Sequence, residues 1–338
     1  MVYDCFTFFN ELDLLEIRLN TLNEVVDRFV IAEATRTHRG KPKELLFEKN
    51  RARYAAFAEK IIYVVVDDLL PEEEVEKDAF NLAWVNENRQ RNALRRGLAN
   101  ASGDDVVMVS DLDEIPRPES VCEARRRLES GAARSVRFSM TFYNFYLNFQ
   151  NFSYAHWMLG TCAIQVKSLA DAALFAGVRY DRYTQASENV GATVQKIRFL
   201  KAEATLPNAG WHFSYLGGLA AIETKLAAFS HAEFSKVPRE VLEARLKAGS
   251  DLFGRAGKSF GVALDASFPS YIRANAAKYA ALIFPVDGDY LRRTRGAKRW
   301  ALVRGRLYAG AVRLVPSSLA PLLVRLRDAV LAKIGRRA

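Results

Sequence analysis

The chain has 338 residues with a formal net charge of +10 at pH 7, and half of its residues are hydrophobic. This length and composition are ordinary for a globular protein built as one large domain or as one domain with an appendage. The sequence has no uninterrupted apolar run of about 18 residues, which excludes an ordinary transmembrane helix. Its N-terminus lacks the basic segment of a signal peptide and its three cysteines are widely spaced, so we expect a cytoplasmic protein.

Strands and helices are predicted to alternate through the first third of the chain. Short apolar runs rich in β-branched residues predict buried strands, and stretches between them show the apolar spacing of helices. The predicted strands are 2–9, 29–32, 61–66 and 106–109, and the predicted helices begin at residue 12 and cover 48–59 and 75–100. Such alternation predicts an α/β fold with a mostly parallel central sheet and helices on both faces.

The pattern changes after residue 116. Residues 143–157 are dense in aromatic side chains, most of which we interpret as core. Alternating or continuous apolar residues predict further strands, and helical spacing predicts three further helices. The strands are 135–142, 162–166 and 197–203, and the helices are 118–129, 219–230 and 238–248.

The positive charge is concentrated at the C-terminus. Residues 289–338 hold 13 Lys or Arg and two Asp, a net charge of +11, so residues 1–288 carry −1. A neutral body argues against nucleic acid as a partner. We therefore divide the chain into a main domain, 1–285, and a basic amphipathic helical tail, 286–338.

Residues 298–338 interleave Arg and Lys with large apolar residues at helical spacing. A basic amphipathic helix is typical of a protein that lies on an anionic membrane surface. The alternative is that these helices pack on the main domain with their basic side in water.

Three carboxylates directly follow the predicted strand 106–109. Asp111, Asp113 and Glu114 would then lie at the carboxyl edge of the sheet, where open α/β sheets bind ligands. Asp-x-Asp side chains in an extended segment point the same way, so both could face one divalent cation that neutralises a diphosphate. Acidic residues after a strand are also common in loops and as helix caps, and Glu114 could serve locally in that way.

Several blocks in order resemble glycosyltransferase family 17 over about residues 1–285. The resemblance implies that residues 1–285 form a glycosyltransferase catalytic domain with a GT-A-like, Rossmann-type fold, to which the basic tail adds a C-terminal helical extension. It also implies a nucleotide-sugar donor, a divalent metal and inversion at the anomeric carbon. The blocks are Glu33-Ala34 with Thr37-His38-x-Gly40-x-Pro42-Lys43, Gln90-Arg91-Asn92, Ser110-Asp111-Leu112-Asp113-Glu114-Ile115-Pro116, Gly210-Trp211-His212-Phe213-Ser214, and Lys225 with Phe229-Ser230-His231-x-Glu233.

The resemblance also implies roles for individual residues. Asp111 and Asp113 would bind the metal, Mn²⁺ or Mg²⁺, and the diphosphate, and His212 would complete the metal shell unless it is a core residue. The match of Gln90-Arg91-Asn92 favours Arg91 facing the donor. From their positions alone, Glu33 at the end of the second strand could bind the nucleotide, and His38 and Lys43 lie in a basic loop that either binds phosphate or is simply solvated. We expect transfer of GlcNAc from UDP-GlcNAc to a glycan or a lipid-linked acceptor.

Acceptor binding and proton transfer need further groups. Tyr143, Tyr146 and Trp157 are candidates for stacking on an acceptor sugar. An inverting transfer needs a general base, for which Asp181 and Glu188 are equal candidates.

Two other functions remain open at this point. A nucleotidyl- or phosphotransferase uses similar carboxylates, although the sequence lacks the Gly-rich phosphate loop that such enzymes normally carry. A non-catalytic carbohydrate-binding or membrane-associated protein could keep the same fold without turnover.

Overall fold

The computed structural model describes residues 1–153, 156–157, 160–171, 194–230, 237–253 and 257–313. The extended segments of the chain form the strands of two sheets. In chain order they are β1 (Val2–Phe8), β2 (Arg28–Ala34), β3 (Ile61–Val66), β4 (Val106–Asp111), β5 (Glu114–Pro116), β6 (Ser135–Phe138), β7 (Met140–Asn144), β8 (Phe149–Asn151), β9 (His156–Trp157), β10 (Cys162–Gln165), β11 (Ala204–Leu206), β12 (Gly210–Ser214) and β13 (Ser259–Gly261).

Helices cover both the predicted helical stretches and several short connections. The α-helices are α1 (Leu12–Leu22), α2 (Leu46–Lys49), α3 (Glu72–Val75), α4 (Ala79–Ala93), α5 (Pro118–Glu129), α6 (Val194–Ile197), α7 (Gly218–Ala228), α8 (Arg239–Ala248), α9 (Ser270–Ala274) and α10 (Gly288–Arg313). Short 3-10 helices cover Arg51–Lys60, Glu76–Asp78, Leu94–Leu98, Val166–Ala170 and Ala280–Leu282. No helix within the described ranges is both long and apolar enough to cross a bilayer.

The first sheet has seven strands in the order β11-β6-β10-β4-β1-β2-β3. The run β4-β1-β2-β3 is parallel, and β10 inserts antiparallel between β4 and β6. The predicted α/β architecture with a mostly parallel sheet is therefore confirmed. The four strands predicted in the first third of the chain are all present.

The core lies on both faces of this sheet. Along β1, Val2, Phe6 and Phe8 pack in one apolar cluster, whereas Tyr3 and Cys5 pack in the other. Successive side chains of a strand point to opposite faces, so one strand supplies both clusters.

A second, smaller sheet was not predicted. Its order is β13-β8-β7-β12-β5, with β9 paired to β7. The strand predicted over 135–142 is in fact two strands that separate at Ser139, because β6 pairs with β10 in the first sheet and β7 pairs with β12 in the second. The second sheet places β12 beside β5, the strand that follows the acidic segment.

The strand predicted over 197–203 is wrong. Helix α6 ends at Ile197, and strand β11 begins only at Ala204. The guanidinium of Arg137 donates to the carbonyls of Arg198 and Leu200 at 2.8 and 2.6 Å, so these groups are not free for a strand partner. The helix predicted over 75–100 is likewise broken into α4 and the shorter helical segments that flank it.

A fully buried arginine ties the acidic segment to the core. Arg18 of α1 forms an ion pair with the Asp4 carboxylate on β1, with N···O distances of 2.6 and 2.8 Å. Its Nη1 donates to the carbonyls of Asp111, Leu112 and Glu114 at 2.8 to 3.0 Å. The backbone of the segment is therefore held from inside the protein.

We expect Arg18→Met to lower the free energy of unfolding by about 3–5 kcal/mol, because it leaves the Asp4 charge buried without a partner. Urea denaturation at pH 7 measures this loss, with the exposed Arg95→Met as the control. A loss in Arg18→Met no larger than that of the control would contradict the role given to Arg18.

Candidate active site

A cavity of about 350 Å³ opens at the carboxyl ends of β1, β2 and β4. Residues after β1 and β2 contribute Glu11 and His38, and the end of β4 contributes Asp111 and Asp113. The far wall comes from β12 and α7, including His212 and Lys225. Residues far apart in the sequence thus meet at the sheet edge where α/β folds bind ligands.

Asp111 lies between two arginines. Its Oδ1 accepts a hydrogen bond from Arg91 Nη2 at 2.8 Å, and its Oδ2 lies 2.9 Å from Arg198 Nη2. Burial alone would raise the pKa of Asp111, but the charges of Arg198 and Arg91 outweigh it and hold that pKa at about 2. Asp111 is therefore ionised at neutral pH.

Asp113 faces a different pair of groups. Lys225 Nζ lies 3.1 Å from its Oδ2, and His212 Nε2 lies 3.5 Å from its Oδ1. Burial would raise the pKa of Asp113, but Lys225 and His212 outweigh it and hold that pKa well below its ordinary value. Lys225 also lies 3.3 Å from Glu11 Oε1, so it stands between two carboxylates.

Glu114 points away from the cavity and holds the segment in place. It is fully buried and accepts hydrogen bonds from the backbone N–H of Asp111, from Trp157 Nε1 and from Arg198 Nη1, at 2.9, 2.7 and 2.6 Å. Trp157 in turn packs on His212 with 4.5 Å between ring centroids. The third carboxylate thus orients both an arginine and an aromatic ring of the site.

His38 is held by a fixed amide. Gln90 Nε2 donates to the carbonyls of Phe8 and Ala32 at 3.2 and 2.9 Å, which turns its Oε1 toward His38 Nε2, 2.8 Å away. Burial lowers the pKa of His38 below its ordinary value, although Glu87 opposes this shift. The neutral ring therefore carries its proton on Nε2 and donates a hydrogen bond to Gln90 Oε1.

Within the described part of the chain, no group of three His, Cys, Asp or Glu side chains could by itself hold a metal ion. One pair of such side chains does converge, since Asp113 Oδ1 and His212 Nε2 lie 3.5 Å apart on the cavity wall. His212 Nδ1 is buried and has no hydrogen-bond partner among the described residues. A carboxylate and an imidazole fit a divalent ion whose other ligands come from a substrate or water.

A family model matches the N-terminal part of the chain. Residues 1–161 match the model of glycosyltransferase family 17. The resemblance recognised from the sequence blocks is confirmed for this stretch, which includes the acidic segment. The blocks around His212 and Lys225 lie beyond the matched residues.

Curated relatives match about a third of the chain. The human β-1,4-mannosyl-glycoprotein 4-β-N-acetylglucosaminyltransferase is 30% identical over 118 residues, which are 33% of this chain and 21% of the relative. The rat enzyme of the same name matches to the same extent. The chain therefore corresponds to about a fifth of the length of these relatives.

The similar solved structures are distant from this chain. A structure of S. aureus TarS 1-349 in complex with UDP-GlcNAc is 9% identical, covers 90% of this chain and 88% of that one, and has a TM-score of 0.37. The mannosyltransferase PcManGT from Pyrobaculum calidifontis, in complex with GDP-Man and Mn²⁺, is 15% identical, with coverage of 97% and 79% and a TM-score of 0.37. Likeness at this level does not identify an activity.

The structure brings most of the predicted donor and metal candidates together. Asp111, Asp113, His212, Arg91 and His38 all line the cavity. Lys43 also lines the cavity, although its Nζ already donates hydrogen bonds to Glu33 Oε1, at 3.0 Å, and to two carbonyls.

The structure corrects the prediction for Glu33. Its fully buried carboxylate accepts hydrogen bonds from Lys43, from the backbone N–H groups of Leu46 and Phe47, and from Tyr63. Glu33 therefore anchors the start of α2 and does not line the cavity.

Two predicted acceptor residues also lie elsewhere. Tyr143 is buried against Phe213 and Phe268, and Tyr146 packs against Phe149 and Phe284, so neither ring lines the cavity. Trp157 alone of the three predicted aromatic residues lines it. The two candidates for the general base, Asp181 and Glu188, lie outside the described residues.

Sequence reasoning missed several groups of the site. Arg198 and Glu87 were not singled out, and neither lies in a block that signals its role. Lys225 was part of a matching block but received no function. The spacing of Glu87 and Arg91, four residues apart on one helix face, is the available signal for their ion pair of 2.9 Å.

The low pKa of Asp111 predicts a specific dependence of stability on pH. The unfolded chain protonates this carboxyl near pH 4, whereas the folded protein does so near pH 2, so its contribution is present above about pH 4 and is lost as the pH falls toward 2. We expect wild type to exceed Asp111→Asn in stability at pH 5 and this difference to shrink by pH 2. Urea denaturation across this range measures it.

The exposed Asp67→Asn is the control, and we expect its difference from wild type to stay nearly constant. If the difference in the free energy of unfolding between wild type and Asp111→Asn stays unchanged from pH 5 to pH 2, Arg91 and Arg198 do not stabilise the charged carboxylate.

Proposed function

We propose that the protein is a metal-dependent inverting glycosyltransferase that moves GlcNAc from UDP-GlcNAc to a hydroxyl of a glycan or glycolipid. The observation that carries the proposal is the acidic segment itself. Within a stretch that matches family 17, it presents Asp111 and Asp113 to a cavity that also contains cationic side chains. The donor sugar is inferred from the names of the curated relatives, which are N-acetylglucosaminyltransferases.

Charge in the cavity suits a diphosphate. Lys225 is kept protonated, because Asp113 and Glu11 raise its pKa above the ordinary value even though burial opposes this. Its ammonium has three donors, and phosphate oxygens could accept from it when the donor binds. Arg91 and Arg198 already bind Asp111, so we assign them to positioning that carboxylate.

Asp113 and His212 are the residues that would hold Mn²⁺ or Mg²⁺. Such an ion, when bound, supplies positive charge that stabilises the diphosphate as it leaves. Asp113 is suited to this role because its neighbours keep it ionised at neutral pH. Phe142 and Trp157 pack on the imidazole of His212 and fix its orientation toward Asp113.

In the proposed reaction, the acceptor hydroxyl attacks the anomeric carbon from the face opposite the diphosphate. The new glycosidic bond forms as the bond to the diphosphate breaks, and the hydroxyl proton passes to a carboxylate base. Asp181 and Glu188 remain the candidates for this base. Trp157, at the cavity wall, offers an aromatic face for a sugar ring.

We further propose that the enzyme works in the cytoplasm, on a surface polysaccharide or a lipid-linked acceptor. Support comes from Cys5, Cys122 and Cys162, which are free thiols. Free thiols of this kind are typical of a reducing compartment.

The test is turnover of a panel of sugar nucleotides, with and without Mn²⁺, in the presence of candidate acceptors. We expect UDP release from UDP-GlcNAc that requires the metal and falls by at least about 100-fold in Asp113→Asn, because that variant loses a metal ligand and a charge partner of Lys225. Release of UDP and of the transferred sugar product are both measured.

Asp104→Asn is the matched control, since Asp104 precedes β4, whereas Asp113 follows it. Full activity in the presence of a chelator would contradict the metal role. Formation of a sugar nucleotide from a nucleoside triphosphate and a sugar phosphate, without transfer, would instead identify a nucleotidyltransferase. Binding of UDP-GlcNAc without turnover of any donor would favour a non-catalytic protein.

A further inference from the structure

Among the described residues, helix α10 packs on the protein through the face that carries Tyr290, Lys298 and Gly305. Lys298 Nζ donates to the carbonyl of Gly261 at 2.7 Å, and the N–H of Gly261 donates to Tyr290 Oη at 3.0 Å. At Gly305 the helix comes so close that an added Cβ would lie 2.2 Å from the carbonyl oxygen of Ser153. The first part of the tail therefore packs on the body, as expected from the alternative in which the tail helices pack on the domain.

The opposite face of α10 exposes large apolar side chains. Trp300 and Val303 are 60% and 53% exposed and lie three residues apart, so they are neighbours on one helix face. Exposed large apolar residues are few in the described part of the chain, and the others, Met1, Val65 and Phe199, lie outside α10. An exposed apolar pair on one face of a docked helix is a candidate contact surface.

Arginines flank this pair on both sides. A helix turns by about 100° per residue, which places Arg292 and Arg299 along one side of Trp300 and Val303, and Arg293 and Arg304 along the other. All four arginines are exposed. Arg304 lies over the Trp300 ring, with its guanidinium carbon 5.2 Å from a ring centroid.

We propose that this outer face of α10, made by Trp300, Val303 and the four flanking arginines, binds an anionic phospholipid surface. Trp and Val would enter the boundary between headgroups and acyl chains, and the arginines would reach lipid phosphates on both sides. The inference goes beyond the proposed transfer reaction, because it concerns where the enzyme is held and does not depend on the cavity.

Charge argues for lipid as the partner. Residues 289–338 carry +11, whereas the rest of the chain carries −1, so the excess positive charge of the protein belongs to this end of the chain. Each Lys or Arg near such a surface contributes about 1 kcal/mol of binding. A second copy of this chain would bring the same arginines together and would repel.

The proposal is tested with the full-length protein and vesicles of phosphatidylcholine, with or without phosphatidylglycerol, by co-sedimentation. We expect binding to the anionic vesicles at low salt, weak binding to pure phosphatidylcholine, and loss of binding at high salt. Trp300→Ala with Val303→Ser should weaken binding by at least about tenfold, because it removes the inserted apolar surface.

Arg299→Glu with Arg304→Glu should weaken binding to anionic vesicles by at least about 100-fold. The charge-matched control is Arg95→Glu with Lys201→Glu, two exposed basic residues outside α10, and we expect near wild-type binding. Thermal melts confirm that each variant is folded. Sugar transfer to a soluble acceptor, measured in parallel, separates failure of this proposal from failure of the proposed reaction.

Three results would overturn the proposal. The first is wild-type binding that is no stronger to anionic vesicles than to phosphatidylcholine. The second is an equal loss in the charge-matched control, which would show an effect of net charge alone. The third is a concentration-dependent dimer in sedimentation velocity that Trp300→Ala abolishes, which would assign this face to a second copy of the chain.

Discussion

The guanidinium of Arg18 is the contact on which the candidate site depends. It lies without exposure to water between β1 and the end of β4, pairs with Asp4, and donates to the Ser110 hydroxyl as well as to three carbonyls of the acidic segment. A buried charge of this kind is tolerated only where its partners are satisfied. Because its partners include the backbone of the segment, the core of the first sheet and the position of Asp111 and Asp113 are set by the same contact.

The three carboxylates of the acidic segment differ in their charged neighbours. Asp111 is bound by Arg91 and Arg198, and Glu114 accepts hydrogen bonds from Arg198 and Trp157. Asp113 faces Lys225 and His212 across the cavity. A diphosphate with its cation would enter a site whose groups are already oriented, which lowers the cost of reorganisation during reaction.

Much of the fold and part of the site could be predicted from local patterns. The strands from β1 to β4 and the helix α5 follow directly from apolar periodicity and from Pro118 at the helix start. The separation of β6 from β7 could not be predicted, because alternation continues through Ser139 and only the pairing of each strand with a different sheet divides them.

The site shows the same limit. Asp111 and Asp113 could be found because strand and motif coincide in one stretch of sequence. Arg198 could not, since its role arises from a guanidinium that reaches back over a long sequence separation to Asp111 and Glu114. Glu33 was misassigned because a carboxylate at a strand end has the same local sequence whether it faces a ligand or, as here, the N–H groups of α2.

The most direct test of the account is anomalous diffraction at the manganese edge from crystals grown with UDP-GlcNAc and Mn²⁺. The account predicts an anomalous peak between Asp113 and His212, with the diphosphate beside it and within reach of Lys225. A peak or a nucleotide at any other place on the protein, with this cavity empty, would contradict the assignment of the acidic segment as the donor site.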